Sequence, residues 1–366
     1  MSGDLKKATT GCHFYKEYLL SLGKWHPELL EYLEKNPPTP ISYDSHVEFR
    51  TTLNQLNADI VKALGPHPDI KITEPEYTTR DGTKLRVKLY QPVNPPAQGS
   101  PLIVMFHGGG FCMGAPESEE LASRNFVHAF GATVVSGAYR LAPEFKFPVG
   151  IKDAWDCLKW AAANAKTWGA DSSAGFIVGG TSAGGNITAV LTHIARDEKL
   201  SPKLTGSYLN VPALVVEGVL PGKYSQYALS YKQNTKVPVI PAESLDMLYH
   251  NIGVKGSPDL LVWFDAFNNP NGHKDLPPAY FQINGLDPVR DEALVYEKVL
   301  SEEHGIKTRL DVYAGLPHDH SRFFPTLSDS EKFHKDQTAG IGWLLGRTPD
   351  WSKVITKVNL SNTASH

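Results

Sequence analysis

The chain has 366 residues, of which 41% are hydrophobic and 20% charged, and its formal net charge is −3. These values are typical of a globular protein large enough for one large domain and an accessory part. They give no reason to expect nucleic acid or an anionic membrane surface as a partner. No apolar run reaches the roughly 18 residues of a spanning helix, so we expect no integral membrane segment.

The amino-terminal residues and the cysteines indicate where the protein resides. Residues 1–7 lack the apolar centre of a signal peptide. The chain has an odd number of cysteines, and their spacing is not that of a metal site: Cys12, Cys112 and Cys157. A reducing, cytoplasmic location is therefore predicted. Cys112 follows a glycine run, but no base is suggested nearby, so we predict that it packs rather than acts as a nucleophile.

The first 65 residues are predicted to be helical, because apolar side chains recur there at helical spacing. The recurring residues form three groups: Phe14, Tyr15, Tyr18, Leu19, Leu22 and Trp25; Leu29, Leu30 and Leu33; and Phe49, Leu53, Leu56, Ile60 and Leu64. Residues 37–40, Pro-Pro-Thr-Pro, break the chain before the third group. The aromatic stripe is typical of a buried helix face, and the alternative is that it lines a substrate pocket.

From residue 70 the hydrophobic pattern changes to that of strands. Residues 70–77 and 85–90 are predicted to pair as a hairpin across Asp81-Gly82. Strands then alternate with helices, which predicts a mostly parallel sheet covered on both faces. The predicted strands are 102–106, 132–136, 176–178, 207–211, 279–283 and 309–313, and the predicted helices include 151–165, 186–197, 291–304 and 332–345.

Two short motifs each follow a strand-like run. His107-Gly108-Gly109-Gly110 follows residues 102–106, and Gly180-Thr181-Ser182-Ala183-Gly184 follows residues 176–178. A strand, a sharp turn with small residues and a helix are what a nucleophilic serine elbow requires. Three successive glycines let backbone N–H groups turn towards an oxyanion. The alternatives are a glycine-rich turn with an incidental serine and a glycine loop without chemistry, and the pairing of the motifs disfavours both.

A nucleophilic serine needs a base, and the base needs an orienting acid. Asp287 stands shortly after the predicted strand 279–283, and His318 and His320 follow the strand at 309–313. This order, Ser then Asp then His, is that of α/β-hydrolases. Asp291 and Glu292 compete with Asp287, but they suit the first turn of a helix better.

The chemistry alone does not separate His318 from His320. Together with Asp319 they form a His-x-His pattern, which is half of a metal site, but no third ligand cluster with suitable spacing occurs. We therefore predict no metal and no organic cofactor.

The residues resemble the hormone-sensitive lipase family of α/β-hydrolases, which is similar to bacterial family IV esterases and to arylacetamide deacetylase. The resemblance spans roughly residues 70 to 345 and rests on five motifs in order. They are His107 to Gly110; Tyr139-Arg140-Leu141-Ala142-Pro143-Glu144 with Phe147-Pro148; Gly180 to Asn186; Asp287-Pro288 with Arg290-Asp291-Glu292; and Gly315-Leu316-Pro317-His318.

The resemblance implies a triad of Ser182, Asp287 and His318, because the family's base stands three residues after a glycine, as His318 does after Gly315. It implies oxyanion donors from Gly108, Gly109 and Gly110 and from the N–H of Ala183, and structural roles for Arg140 and Glu144. The irregular stretch around 217–270 is typical of a lid. Together with the resemblance it predicts a cap of residues 1–65 and 217–272, a catalytic core of 66–216 and 273–350, and a frayed polar tail of 351–366.

Three residues depart from the family pattern. Thr181 stands where many relatives have Asp, Ala138 where they often have Asp, and Asp319-His320 where Gly-Phe is frequent. None of these departures removes a triad member or an oxyanion donor. Each is expected to alter the polarity of the pocket or the support of the catalytic residues.

The predicted function is hydrolysis of short-to-medium acyl esters through an acyl-enzyme on Ser182, with a small-molecule ester as the partner. One alternative keeps the apparatus and passes the acyl group to an alcohol, an amine or an internal nucleophile, which gives a transferase or a lactone-forming enzyme. A further alternative is a ligand-binding receptor that resembles the plant gibberellin receptor, disfavoured because His318 is present. The sequence leaves a homodimer open as the oligomeric state.

Overall fold

The computed structural model of the chain describes residues 16–37, 46–256 and 258–358. A mixed sheet in the order β1-β3-β5-β4-β6-β7-β8-β9 forms its centre, and β2 pairs with β3. β3 is antiparallel to β1, β2 and β5, whereas every pair from β5 to β9 is parallel. The strands are β1 Ile70–Thr73, β2 Glu76–Thr78, β3 Lys84–Pro92, β4 Leu102–Phe106, β5 Thr133–Gly137, β6 Phe176–Thr181, β7 Gly206–Asn210, β8 Ala279–Leu286 and β9 Thr308–Pro317.

Helices cover both faces of this sheet. They are α1 Lys16–Leu22, α2 Pro27–Lys35, α3 His46–Leu64, α4 Glu120–Phe130, α5 Val149–Asn164, α6 Ala183–Asp197, α7 Ser230–Gln233, α8 Ala242–Ile252, α9 Arg290–Lys298, α10 His320–Phe323 and α11 Ser328–Leu345. None of the described helices is both long and apolar enough to cross a bilayer.

Successive side chains of the central strands point to opposite faces of the sheet, as the pleat of a strand requires. On β4, Val104 and Phe106 pack with the apolar sides of α5 and α6. Their neighbours Ile103 and Met105 pack with α4 and α11 on the opposite face. Because both faces are buried, the parallel strands consist mainly of apolar and small residues, as predicted. The predicted fold class, an α/β-hydrolase sheet flanked by helices, is confirmed.

The amino-terminal strands differ in one respect from the prediction. The single strand predicted at 70–77 is interrupted at Pro75, so that β1 and β2 pair separately with β3. Proline has no N–H to give to a ladder, but the carbonyl of Pro75 still accepts from Val87 at 2.9 Å. The predicted hairpin across Asp81-Gly82 is present, closed by the N–H of Thr79 on the carbonyl of Thr83 at 2.9 Å.

Helix α4 lies between the predicted strands 102–106 and 132–136, where the alternation predicts a helix, although no bounds were predicted for it. It is buried on nearly all sides, and its buried residues include the charged Glu120 and Arg124. Glu120 accepts hydrogen bonds from Lys88 at 2.6 Å and from Arg124 at 2.8 Å. The charged residues of α4 are therefore buried as ion pairs, in which each charge has an opposite charge beside it.

Only part of the first predicted helical stripe lies within the described residues, and that part packs in the core. Phe14 and Tyr15 lie outside the described residues, as do residues 38–45, which contain most of the predicted Pro-rich break. Leu19 and Leu22 of α1 pack with apolar residues of β8 and α9, so this part of the stripe is a buried helix face. The third group, on α3, contributes Phe49, Leu53 and Ile60 to the wall of a cavity.

The carboxyl-terminal segment is attached to the core as far as residue 358, the last described residue. Asn125 donates to the carbonyl of Ile355 at 2.8 Å and accepts from the N–H of Ile355 at 2.8 Å. The N–H of Asp350 donates to the carbonyl of Ala129 at 2.9 Å. The predicted fraying after Trp351 therefore does not apply to residues 351–358, and residues 359–366 lie outside the described chain.

Candidate active site

The serine motif forms a sharp turn between β6 and α6. β6 ends at Thr181, Ser182 has φ 56° and ψ −113°, and α6 begins at Ala183. A positive φ at a non-glycine residue is a strained conformation that persists where the surroundings enforce it. The Ser182 N–H is held by the carbonyl of Asn210 on β7 at 2.8 Å. The turn therefore presents Ser182 at the carboxyl edge of the sheet.

The elbow requires glycine where the helix passes closest to the neighbouring strand. A Cβ added to Gly184 would collide with the backbone carbonyl of Phe106, and one added to Gly180 would lie 2.5 Å from that same oxygen. Backbone atoms cannot move aside as flexible side chains can. The close approach of strand and helix is therefore the reason that the elbow needs small residues at these two positions.

The glycine loop after β4 lies against the elbow. A Cβ on Gly108 would lie 3.3 Å from the Cβ of Ser182. Gly109 has φ 116°, a conformation that side-chain-bearing residues rarely adopt, and it turns the loop after Gly108. The N–H groups of Gly109, Gly110 and Ala183 have no acceptor among the described residues, so they remain available to an external oxygen.

His107 stabilises the start of this loop. Its Nδ1 bonds to the carbonyl of Gly108 at 2.8 Å, and its ring stacks on Tyr139 with centroids 4.3 Å apart. The hydroxyl of Tyr139 in turn donates to the His107 carbonyl at 2.9 Å. Burial lowers the pKa of His107 to about 4, so the ring is neutral near pH 7. The loop is thus held by a neutral, fully bonded scaffold.

His318 and Asp287 are hydrogen-bonded to each other. Nδ1 of His318 lies 2.7 Å from Oδ2 of Asp287, and both side chains are buried. The other oxygen of Asp287 accepts from the N–H of Val289 at 3.0 Å. Asn234, from the inserted segment, donates to the Asp287 carbonyl at 2.9 Å. The carboxylate is thereby oriented towards the imidazole.

Two opposed effects act on the pKa of His318. Burial disfavours the charged imidazolium, whereas the negative charge of Asp287 and its hydrogen bond favour it. The net result is a pKa raised above the ordinary value of 6.5. Asp319 adds a smaller effect in the same direction.

His320 faces different partners. Its Nδ1 lies 3.2 Å from Oδ1 of Asn284 and its Nε2 lies 3.4 Å from the carbonyl of Asp329. Burial lowers its pKa to about 3. His318 lines the cavity that also contains Ser182, whereas His320 is not among the residues of that wall. The two imidazoles therefore do not converge on one ion.

The competing acids Asp291 and Glu292 bind other segments to α9: Asp291 binds the inserted segment, and Glu292 binds the residues just before that segment. Asp291 accepts from the N–H of Ser230 at 2.6 Å and pairs with Arg290 at 2.7 Å. Glu292 accepts from the N–H groups of Leu214 and Val215 at 3.1 and 2.9 Å. Both stand in the first turn of α9, as predicted, but their oxygens bind other segments rather than only facing the helix dipole.

The cavity at the elbow has a largely apolar wall. Its volume is about 130 Å³, and its lining includes the glycine loop, Ser182, Ala183 and His318. Helix α3 contributes Phe49 and Leu53, and α8 contributes Leu245, Leu248 and Ile252. Segments from both parts of the predicted cap therefore line the space beside Ser182.

One side of the cavity is polar, and the sequence analysis did not foresee its composition. Glu119, Asp319 and Arg322 line it together with Thr181 and Asn210. Asn210 donates to Thr181 at 3.3 Å, and both side chains line this side of the cavity. Burial raises the pKa of Glu119 to about 7 and also raises that of Asp319.

These polar residues connect two of the departures from the family pattern. Thr181 precedes Ser182 and Asp319 follows His318, and both line the polar side of the cavity together with Asn210. The unusual residues at 181 and 319 were visible in the sequence. No periodicity or motif indicated that Glu119 and Arg322 would join them.

Arg50 attaches helix α3 to the loop that follows the glycines. Its guanidinium donates to the carbonyl of Cys112 at 2.7 Å and forms a two-point pair with Glu144 at 2.8 and 3.0 Å. Arg140 pairs with the buried Asp153 at 2.7 Å. Burial raises the pKa of the Cys112 thiol to about 12, which agrees with packing rather than nucleophilic chemistry.

Comparisons with known proteins agree with this architecture. A family model described as the alpha/beta hydrolase fold matches residues 103–322. An AB hydrolase superfamily protein of Schizosaccharomyces pombe is 38% identical over 88% of this chain and 94% of its own length. The versiconal hemiacetal acetate esterase of Dothistroma septosporum is 32% identical over 81% of this chain and 88% of its own. The crystal structure of vibralactone cyclase superposes with a TM-score of 0.81 at 28% identity, covering 89% of this chain and 96% of that one.

Fold and site together define an enzyme of the α/β-hydrolase class. Within that class the chain belongs to the hormone-sensitive-lipase-like family. The predicted family and the predicted enzyme class, serine hydrolase, are confirmed, and so is carboxylic ester hydrolysis as the reaction class.

Proposed function

We propose that Ser182, His318 and Asp287 form a catalytic triad that hydrolyses short-to-medium acyl esters. The observation that carries this proposal is the 2.7 Å bond between His318 and Asp287 beside the cavity that contains Ser182. His318 accepts the Ser182 proton as the serine oxygen attacks the ester carbonyl. Asp287 holds the tautomer in which Nε2 is free to do so and stabilises the imidazolium that forms.

The oxyanion of the tetrahedral intermediate is bound by backbone N–H groups from Gly108, Gly109, Gly110 and Ala183. The unpaired state of the donors at 109, 110 and 183 supports this role. Each such donor is worth roughly 3–4 kcal/mol in the transition state. His318 then protonates the leaving alcohol, and water activated by the same imidazole releases the acid from Ser182.

The cavity volume and its apolar wall support acyl groups at the short end of the range. A cavity of about 150 Å³ lined by aliphatic side chains admits benzene, and the space here is about 130 Å³. The residues of the wall come from segments that we assign to a cap of residues 1–65 and 217–272 over a core of 66–216 and 273–350. The part of that cap at residues 1–15 and 38–45 lies outside the described chain.

The test is Ser182→Ala, measured with a series of p-nitrophenyl esters from acetate to decanoate. We expect loss of turnover and of covalent labelling by a serine-reactive phosphonate, with the wild type favouring the shorter acyl chains. Ser225→Ala is the matched control, because Ser225 is exposed and bonds only to its own turn. Retained turnover or labelling in Ser182→Ala would contradict the triad, whereas a preference for long chains would contradict only the proposed acyl size.

A second candidate is transfer of the acyl group to an acceptor other than water. The likeness to vibralactone cyclase, at 28% identity over most of both chains, favours it. The apolar wall would slow the entry of water and let an alcohol, or a hydroxyl of the same acyl chain, attack the acyl-enzyme. Product analysis with competing alcohols separates the two reactions. A ratio of acid to ester product that follows only the relative concentrations of water and alcohol indicates hydrolysis. The third hypothesis, a silent receptor, has no support among the relatives named above.

The cytoplasmic location and the homodimer are parts of the same proposal. Cys112 and Cys157 are free, buried thiols, which suits a reducing compartment. Among the described strands β9 has only β8 as a neighbour, and an edge strand of this kind can pair with a second copy. Light scattering of the purified chain tests the dimer, and fractionation of the producing cells tests the location.

A further inference from the structure

Three metal-ligating side chains meet outside the catalytic cavity. His67, Asp69 and His128 each offer a ligand atom, and these atoms lie within 4.8 Å of one another. None of the three lines the cavity that contains Ser182. The proposed ester chemistry uses none of them.

The fold brings these residues together from two distant parts of the chain. His67 and Asp69 stand on the tight turn between α3 and β1, which is closed by the N–H of Ile70 on the carbonyl of His67 at 3.2 Å. His128 stands in the last turn of α4. Asp69 and His128 also line a surface cavity together with Lys353, which gives an ion access from solvent.

The two histidines carry nitrogen atoms that lack a partner. Nδ1 of His67 and Nε2 of His128 are buried, and neither has a hydrogen-bond partner among the described residues. The ring centroids are only 4.2 Å apart. Buried polar atoms in native proteins are normally satisfied, and an unpaired one calls for an explanation such as an ion. Two of them side by side, with a carboxylate in reach, point to a shared ligand.

We propose that His67, Asp69 and His128 bind a divalent transition-metal ion, with Zn²⁺ as the best match. Two imidazoles and one carboxylate are a common set of protein ligands for Zn²⁺, and a water completes the tetrahedron. The three ligand atoms already lie within 4.8 Å of one another, and they would have to move closer together to contact one ion.

Lys353 competes for the carboxylate. Its Nζ lies 2.7 Å from Oδ2 of Asp69, and its side chain is about half exposed. The ammonium can therefore swing into solvent when an ion arrives, because little packing holds it. Arg124 adds a further positive charge near His128, so the site is expected to bind more weakly than a closed structural zinc site.

A metal at this position would tie together two segments. The turn that carries His67 and Asp69 joins α3, which lines the catalytic cavity, to the first strand of the sheet. His128 belongs to α4 in the core. The ion would therefore act as a structural clamp at the base of α3, and the chemistry at Ser182 would not depend on it directly.

The experiment is a titration of the chelator-treated full chain with ZnCl₂, measured by equilibrium dialysis, and with CoCl₂, measured by visible absorption. We expect one ion per chain, a tetrahedral Co²⁺ spectrum and a raised Tm in the presence of Zn²⁺. His67→Ala and Asp69→Asn alter a half-buried turn between α3 and β1 and are expected to fold, as circular dichroism will check. Both should abolish stoichiometric binding, and so should His128→Ala.

Two further variants sharpen the result. His250→Ala is the matched control, because His250 is an exposed histidine on α8 and its loss should leave binding unchanged. Lys353→Ala removes the competing ammonium and should bind Zn²⁺ more tightly than the wild type. The proposal is overturned if the wild type binds no ion at equimolar concentration, or if His67→Ala binds as well as His250→Ala does.

Discussion

His318 and Asp287 are joined by a 2.7 Å hydrogen bond although they belong to different strand–loop connections. The register of β8 and β9 explains this, because Leu286 is paired with Pro317 in the sheet. Asp287 is therefore the first residue after β8, and His318 is the first residue after β9. Parallel neighbours end at the same edge of a sheet, so an acid and a base separated by 31 positions are delivered side by side.

Replacing Asp287 by Asn should lower kcat by roughly ten-thousand-fold. An amide cannot hold the imidazole in the required tautomer or stabilise the imidazolium, and a loss of this size follows the same replacement in another serine hydrolase. Steady-state kinetics with a short aryl ester measures the effect. Asp311→Asn, at an acid earlier on β9 that does not line the cavity containing Ser182, serves as control and should leave kcat close to that of the wild type.

The pH profile of kcat/KM should depend on the interaction between His318 and Asp287. His318 acts as base only when neutral, so activity falls as the pH drops through its pKa. Because Asp287 raises that pKa, the acid limb of the wild type should have its midpoint above 6.5. In Asp287→Asn the carboxylate is gone and burial remains, so the midpoint of the residual activity should move to lower pH. An unchanged midpoint would mean that another group controls the limb.

Glu119 should make the protein less stable as the pH rises. Its folded pKa, about 7, lies above the ordinary value of 4.5 because the side chain is 4% exposed. The folded state favours the protonated form of Glu119. The contribution of this residue to the free energy of unfolding is therefore fully present below pH 4.5 and is lost as the pH rises through 7. The shift corresponds to on the order of 3 kcal/mol. In urea unfolding, the free energy of unfolding of Glu119→Gln minus that of the wild type should increase by that order between pH 4.5 and 8.

Glu117 provides a control of opposite sign two residues away. Burial by itself would raise its pKa, but two hydrogen bonds from Arg86, each 2.7 Å, lower it overall. Its contribution is therefore present at neutral pH and lost as the pH falls through the lowered pKa. Glu117→Gln should be less stable than the wild type at pH 7 and approach it in acid. If both variants responded to pH in the same direction, the assignment of Glu119 would be wrong.

Gly184→Ala should impair folding and activity together. The added Cβ would meet the carbonyl of Phe106, and overpacking of this kind typically costs about 1–3 kcal/mol. The elbow would have to move, and Ser182 with it. Thermal unfolding and turnover of a short ester measure both effects. Gly222→Ala is the matched control, because nothing lies within 4 Å of its added Cβ, and it should leave the Tm and the turnover unchanged.

The elbow and the glycine loop were predictable from the sequence because their chemistry constrains consecutive residues. Small residues around Ser182 and three glycines after β4 are needed by the local backbone, so they leave a local pattern. The order of Ser182, Asp287 and His318 was predictable as well, since each stands where a strand of the alternating pattern ends. The same patterns determined the mostly parallel sheet, with errors of a few residues at its boundaries.

The tertiary structure decided what depends on contacts between distant residues. It separated His318 from His320 by their partners, which residue type and spacing could not do. It also showed that Asp291 binds the inserted segment and that Glu292 binds the residues just before it. It assembled the polar side of the cavity from Glu119, the elbow and the residues after His318. It gave the bounds of helix α4, which the alternation of strands and helices placed between the strands at 102–106 and 132–136 without bounds. Long-range pairing leaves no periodic trace in a sequence, so only the folded chain reveals it.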